Sequence, residues 1–170
     1  MRLPPYAYVP GRHPHPTRHP AGHSFGHPEA APTALDPTAW WQHTPYLEGL
    51  ALFDRGYYWE AHEAWEGPWS AAERGSAVAE LLGGLIALAA AGVKIRQGRG
   101  EAASRLGERA RQRFERARQR CDAASLAGLA FDDLDAFAEH VRRDAPGLRA
   151  SQALAVEVVF SRALSPTLPR

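Results

Sequence analysis

Apolar residues recur every three to four positions over most of the chain, which is the spacing that predicts amphipathic α-helices. The five predicted helices span residues 45–55, 57–66, 76–97, 101–121 and 132–144. The third carries apolar side chains around nearly its whole circumference, so we expect it to be buried at the centre. Short connections join the helices into two hairpins. The sequence therefore predicts an all-α fold, a compact bundle of about five helices.

Glycine and proline mark the expected ends and contacts of these helices. Gly67-Pro68 is expected to end the second helix, because proline lacks the amide hydrogen that a helix interior needs. Gly83, Gly84 and Gly92 interrupt the apolar third helix, and each lowers its helix propensity by roughly 1 kcal/mol. We interpret them as places where neighbouring helices approach closely.

Outside the predicted bundle the composition changes. Residues 1–37 are rich in proline, histidine and glycine and predict an extended arm, whose large apolar side chains favour partial docking on the helical domain. The helical domain is predicted to span residues 38–148. Residues 149–170 form a C-terminal tail, in which the segment 151–163 fits either a strand or a helix.

Charge and composition limit the classes of partner and compartment. The chain has 170 residues and a net charge of +1, which argues against bulk nucleic acid or an acidic membrane as a partner. Its longest apolar run, residues 81–93, is shorter than the roughly 20 residues that a membrane span needs. Prolines near the start stand where a signal peptide has its apolar run, and the one cysteine, Cys121, has no disulfide partner within the chain. We therefore expect a cytoplasmic protein without a membrane partner.

The predicted second helix carries a mixture of aromatic, acidic and histidine side chains that a purely structural helix does not need. His62 and Glu66 lie four residues apart, so their side chains can touch, and Glu63 lies next to them. A carboxylate beside an imidazole favours its charged form or orients its neutral ring. These three residues are the candidate catalytic groups. The residues expected to form an aromatic-walled, acidic pocket around them are Tyr58, Trp59, Glu60, Trp65 and Trp69.

Three interpretations of His62 are open at the level of sequence. It can form a buried hydrogen bond with Glu66 that joins two helices, with the tryptophans as core. It can be an acid or base in a small-molecule pocket. It can also bind a divalent metal with Glu66. Two known metal motifs are not matched here. Glu66 stands where the zinc-protease signature has its second histidine, and Trp59 stands where di-iron bundles have a glutamate.

Histidines are concentrated in the N-terminal arm, where five of them lie between His13 and His27. His15, His19 and His23 are further candidate metal ligands if the arm folds over the second helix. The alternative is a polar arm whose histidines are solvated or make ordinary hydrogen bonds. A cluster without regular geometry is a weak indication of a metal site.

Arginines dominate the predicted fourth helix. Five of them fall on one stripe, a candidate surface for phosphate or RNA, namely Arg105, Arg109, Arg113, Arg116 and Arg120. The alternative is a solvated face whose arginines pair with glutamates one turn away. No aromatic residues alternate with the stripe, as they do in proteins that bind single-stranded nucleic acids, so we do not expect nucleic acid to be the partner.

Four motifs of this chain resemble those of domain-of-unknown-function family 309. They are Gly56-Tyr57, Glu60-Ala61-His62-Glu63, the start of the apolar helix at residues 82–86, and the arginine-rich helix that follows Gly100. The resemblance covers about residues 45–120, and Gly83 departs from it where the family usually has glutamine.

The resemblance implies a compact all-α fold of roughly five helices. It singles out Glu60, His62, Glu63 and Trp65 as positions that match the family motif, and it implies no reaction or cofactor. Two classes of function therefore stay open. One is a small enzyme with acid–base or divalent-metal chemistry at His62. The other is a non-catalytic binding or scaffold module, which could be a homodimer.

Overall fold

The computed structural model describes residues 3–28, 31–148 and 154–168. Within these ranges it contains five α-helices and one short β-hairpin, which confirms the predicted all-α class. In chain order the elements are α1 Thr44–Asp54, α2 Tyr58–Ala71, α3 Ala77–Arg96, α4 Gly100–Arg118, β1 Ser125–Leu126, β2 Leu129–Ala130 and α5 Phe131–Asp144. Single turns of 3-10 helix precede α1 at Trp40–Gln42 and follow α5 at Ala145–Gly147.

The apolar helix α3 lies at the centre of the bundle. It packs against both α2 and α4, while α1 packs against α2 and α5 against α4. Four of its leucines are fully buried, namely Leu81, Leu82, Leu85 and Leu88. α3 has 20 residues and a stretch of mean hydropathy 1.8, enough by length and composition to cross a membrane, but 67% of that stretch is buried inside the protein. Its central position thus accounts for its hydrophobicity.

α2 runs past the point at which the sequence predicts its end. The prediction of a break at Gly67-Pro68 is wrong, because the helix continues to Ala71. Gly67 has no Cβ to collide with the proline ring, and Ser70 Oγ donates a hydrogen bond to the Gly67 carbonyl at 2.8 Å. Pro68 is also buried, so its ring contributes to the core. The additional turn carries Trp69 as part of the helix.

Glycines in α3 admit side chains from both neighbouring helices, as the sequence predicts. The Phe114 ring of α4 occupies the space beside Gly84, and the Tyr58 ring of α2 occupies the space beside Gly92. A methyl group at either glycine would overlap these rings. α2 and α4 therefore approach α3 more closely than larger residues would allow.

A short antiparallel hairpin, which the hydrophobic pattern does not predict, separates α4 from α5. Ser125 pairs with Ala130, and the two-residue turn has positive φ angles of 46° at Ala127 and 80° at Gly128. Two consecutive residues in the left-handed region are typical of a type I′ turn. The Tyr46 hydroxyl donates a hydrogen bond to the Ala127 carbonyl at 2.8 Å, which ties the turn to α1.

The described part of the C-terminal tail, residues 154–168, forms neither the strand nor the helix that the sequence allows. It crosses the bundle as an irregular segment, which we call the C-terminal strap. Leu164 N donates a hydrogen bond to the Asp54 carboxylate at 2.8 Å, and Phe160 is buried among aromatic rings of α1, α2 and α5. Contacts with the bundle replace regular backbone pairing here. Residues 151–153 lie outside the described part of the chain.

Residues 3–28 fold as a series of turns that lie against α2. The main anchor is Glu60, which is 6% exposed. Its Oε1 accepts a hydrogen bond from Tyr8 N at 2.9 Å and lies 3.1 Å from His23 Nε2. The Tyr8 ring also meets the Trp59 ring edge-on. These contacts cover one flank of α2 with the N-terminal residues.

We predict that two adjacent glycines of α3 differ in their tolerance of alanine. Gly84→Ala should destabilise the protein by about 1–3 kcal/mol, because its methyl group overlaps the buried Phe114 ring. Gly83→Ala should change stability by less than about 1 kcal/mol, because it gains helix propensity and meets only the flexible Arg113 side chain. Urea denaturation measures both variants, and equal stabilities would contradict the packing described above.

We predict that Glu60→Ala loosens the N-terminal residues without unfolding the bundle. The variant leaves the Tyr8 amide without its acceptor, at a cost of about 1–3 kcal/mol, so trypsin should cut after the exposed Arg18 roughly tenfold faster. Glu63→Ala, on the exposed face of the same helix, is the control and should leave the rate unchanged. If Glu60→Ala keeps both its circular dichroism and the wild-type cleavage rate, Glu60 is not the anchor.

Candidate functional site

A cavity of about 190 Å³ lies between α2, α3 and α4. His62 and Trp69 line it from α2, and Arg109 and Arg113 line it from α4. Between them α3 supplies an apolar floor that includes Ile86. One cavity thus brings together an imidazole, an indole and two guanidinium groups. The sequence predicts an acidic pocket at this helix, whereas the cavity is basic on its α4 side.

His62 stands beside two carboxylates at the edge of this cavity. Its Nδ1 lies 3.6 Å from Glu63 Oε1 and 3.7 Å from Glu66 Oε1, which are ion-pair rather than hydrogen-bond distances. Nδ1 is buried and has no hydrogen-bond partner among the described residues. The side chain as a whole is 26% exposed. The imidazole therefore lies close to negative charge while part of it stays accessible.

Two arginines of α4 line the cavity, and within the described part of the chain one of them forms an ion pair and the other does not. Arg113 Nη1 lies 3.2 Å from Glu80 Oε2, and Arg116 Nε donates to the same oxygen at 3.0 Å. The Glu80 side chain is only 12% exposed, so it neutralises much of this local charge. Arg109 is exposed and makes no ion pair within residues 3–28, 31–148 and 154–168. Its charge is available to a ligand.

Gly83 explains how an arginine reaches the cavity. It also lines the cavity, and the Cδ and Nη1 atoms of Arg113 lie 2.8 Å from the position that a Cβ of residue 83 would take. A larger side chain at this position would compete with Arg113 for the same space. The space beside Gly83 is thus filled by the Arg113 side chain from α4.

Two residues expected to line the pocket belong to the core. Tyr58 and Trp65 are at most 1% exposed. The Tyr58 hydroxyl accepts a hydrogen bond from Val159 N at 2.9 Å, and burial raises the pKa of its phenol to about 12. Trp65 Nε1 donates a hydrogen bond to the Tyr46 carbonyl at 3.2 Å. Helical spacing is common to core and pocket positions, so the sequence did not separate the two.

Trp59 and Glu60 contact the N-terminal residues on another flank of α2. Glu60 Oε2 is buried without a hydrogen-bond partner in the described part of the chain, while its Oε1 holds Tyr8 and His23. Of the aromatic residues predicted to wall the pocket, Trp69 is the one that lines the cavity. It is 39% exposed.

The candidate histidines of the N-terminal arm make contacts within the arm and with the flank of α2 that carries Trp59 and Glu60. His15 Nδ1 accepts a hydrogen bond from Thr17 N at 3.3 Å. His19 Nδ1 accepts one from Ala21 N at 3.1 Å. His23 contacts the anchoring glutamate of α2. The structure therefore does not bring the candidate metal ligands of the arm to the cavity.

One group of three potential metal ligands occurs among the described residues, and it consists of His62, Glu63 and Glu66. One ligand atom from each side chain lies within 4.8 Å of the other two. A nitrogen and two carboxylate oxygens suit zinc and other divalent transition metals. The Glu63 and Glu66 side chains are 41% and 50% exposed, so they are free to adjust around an ion.

The arginine stripe of α4 divides into residues with different surroundings. Arg109 and Arg113 line the cavity, and Arg116 forms an ion pair with Glu80 of α3. Arg105 and Arg120 are exposed and lie outside the cavity. The sequence pattern does not indicate that two of these arginines, Arg109 and Arg113, line the same cavity as the histidine of α2. The sequence feature that points to it is the glycine pair Gly83 and Gly84 of α3, which predicts close contact with another helix but does not show which helix.

No curated protein and no solved structure matches this chain. Residues 46–106 match the model of a family described as Domain of unknown function (DUF309). This range runs from α1 through α3 into the first turns of α4, and it includes His62 and the apolar floor of the cavity. The match confirms the resemblance carried by the sequence motifs, and the matched segment contains most of the residues that line the candidate site.

Proposed function

We propose that the cavity beside His62 binds a small organic anion and that His62 acts on it as a general acid or base. The observation that supports this most strongly is the shared cavity itself, which His62, Arg109 and Arg113 line from two different helices. An apolar floor and a few convergent polar groups are the usual composition of a small-molecule site.

Arg109 and Arg113 are the groups that would bind the anion. A guanidinium group presents several N–H donors in a planar fork that matches a carboxylate or a phosphate. Arg109 has no ion-pair partner among the described residues, so binding an anion there breaks no existing contact. Arg113 is held by Glu80 at 3.2 Å and is therefore positioned in advance.

His62 would act as the general acid or base. The carboxylates of Glu63 and Glu66, at 3.6 and 3.7 Å from Nδ1, favour a proton on that nitrogen. The other ring nitrogen is then the one that exchanges a proton with the bound anion. The apolar side chains of Ile86 and Leu106 in the lining limit the access of water to this exchange.

A metal-dependent form of this site is the second candidate, and the group of His62, Glu63 and Glu66 favours it. Ligand atoms that lie about 2.1 Å from a tetrahedral zinc ion are roughly 3.4 Å apart. The observed separations from Nδ1, 3.6 and 3.7 Å, exceed this by a few tenths of an ångström. Small side-chain rotations of the two glutamates would close the difference, and the remaining coordination positions would be open to water or ligand.

A non-catalytic binding module, alone or as a homodimer, is the competing class. In that class His62 and the exposed Trp69 contribute contact surface, and variants of His62 alter association instead of proton transfer. A cytoplasmic location suits all three alternatives.

We predict that Arg109→Gln weakens the binding of inorganic phosphate or acetate at least tenfold, because it removes a charge-assisted hydrogen bond worth about 1.5–3 kcal/mol. Titration followed by amide chemical shifts measures the affinity. Arg105→Gln is the matched control, since it lies on the same stripe but outside the cavity, and it should leave the affinity unchanged.

An equal loss in Arg105→Gln would instead show that the whole arginine stripe attracts phosphate, as a nucleic-acid surface would. Absence of any binding would remove the proposal. His62→Gln should keep the anion bound while the histidine ring signals that shift on binding disappear.

We predict for the metal-dependent form that zinc or cobalt(II) binds the purified protein with one ion per chain. His62→Ala should abolish this binding with unchanged circular dichroism, because it removes the one nitrogen ligand of the group. His27→Ala, an exposed histidine of the arm, should not affect it. Elemental analysis and the visible spectrum of the cobalt form give the result. Equal metal content in both variants would exclude this site.

A further inference from the structure

A second cavity, of about 490 Å³, adjoins the first at the end of α2. Trp69 and Arg113 line both cavities. Arg74, in the connection between α2 and α3, and Glu80 of α3 line the second cavity alone. Because two residues are shared, the cavities are neighbouring compartments of one groove along α2, α3 and α4.

We propose that this groove binds a phosphorylated molecule with a planar aromatic ring, of the mononucleotide class. The phosphate occupies the compartment of His62 and Arg109, and the ring lies in the second compartment on Trp69. This inference rests on the proposed function of the first compartment, and it adds the identity of the remaining part of the ligand.

The size of the two compartments supports a ligand that fills both. Sites for organic ligands and cofactors usually have volumes of about 300–1,000 Å³. The first compartment, at about 190 Å³, is too small for such a ligand and suits a single anionic group. The second, at about 490 Å³, has room for a ring system.

Trp69 supplies the surface on which a ring would stack. Its side chain is 39% exposed, whereas the other tryptophan late in α2, Trp65, is fully buried. This exposed indole lines both compartments, so it is accessible to a ligand that spans them. Stacking of a nucleobase on an aromatic side chain contributes about 1–3 kcal/mol.

The charges of the groove suit a phosphate better than a neutral ligand. Arg74, Arg109 and Arg113 line it, and Glu80 is the carboxylate among the described lining residues of the second compartment. Glu80 is already shared by Arg113 and Arg116. Arg74 is exposed and has no ion-pair partner in the described part of the chain, so the arginines among the lining residues outnumber the one lining carboxylate, Glu80.

The test compares adenosine 5′-monophosphate with inorganic phosphate on the full chain. The mononucleotide should bind at least tenfold more tightly and quench tryptophan fluorescence. Trp69→Leu should lower the affinity for the mononucleotide much more than the affinity for phosphate, so that most of this advantage is lost. Trp41→Leu is the matched control, because Trp41 is 38% exposed but lies away from the groove, and it should behave as the wild type.

Three outcomes would overturn the inference. In the first, the mononucleotide binds no more tightly than phosphate. In the second, Trp41→Leu has the same effect as Trp69→Leu. In the third, a polyadenylate strand binds far more tightly than the mononucleotide, and Arg105→Gln weakens its binding as much as Arg109→Gln does. In the first case phosphate binding that still depends on Arg109 leaves the proposed function intact. Failure of both probes to bind would remove the inference and the proposed function together.

Discussion

The contact between Phe114 of α4 and Gly84 of α3 is the packing on which the candidate site depends. The ring fills the space that any side chain at position 84 would take, and Tyr58 of α2 does the same at Gly92. Both neighbours of α3 are therefore drawn against the same apolar helix. At this separation the flanks of α2 and α4 face a common hollow, and His62 comes to share it with Arg109. The position of the polar groups is thus a result of apolar packing.

Negative and positive side chains lie on opposite sides of the cavity, so a bound molecule would meet a different charge on each side. Carboxylates lie on the side of His62, and arginines lie on the side of α4. Glu80 is the exception, since it is nearly buried and holds Arg113 in place. Apolar walls reduce the screening between such groups, so each has more influence on a bound molecule than it would have in water. The same arrangement on an open surface would have little effect.

Local periodicity was sufficient to predict the five helices, because each depends on residues three or four positions apart. It also predicted that His62 and Glu66 lie close together. The predicted end of α2 is wrong, because the burial of Pro68 and the absence of a Cβ at Gly67 outweigh the usual effect of proline on a helix. Trp65 was predicted to line the pocket but lies in the core, because helical spacing is the same for core and pocket positions. The meeting of α2 with α4 depends on tertiary packing through α3, and no short pattern encodes it.

The C-terminal strap has a consequence for how the protein reaches its final state in the cell. Leu164 bonds to Asp54, a residue 110 positions earlier, and Phe160 completes an aromatic cluster with rings from α1 and α2. During translation the Phe160 contacts form only after residue 160 has left the ribosomal exit tunnel, and the Leu164 hydrogen bond only after residue 164 has done so. Before Phe160 docks, the parts of the Phe53 and Tyr58 rings that it covers stay exposed, so newly made chains present a temporary hydrophobic surface of the kind that chaperones bind.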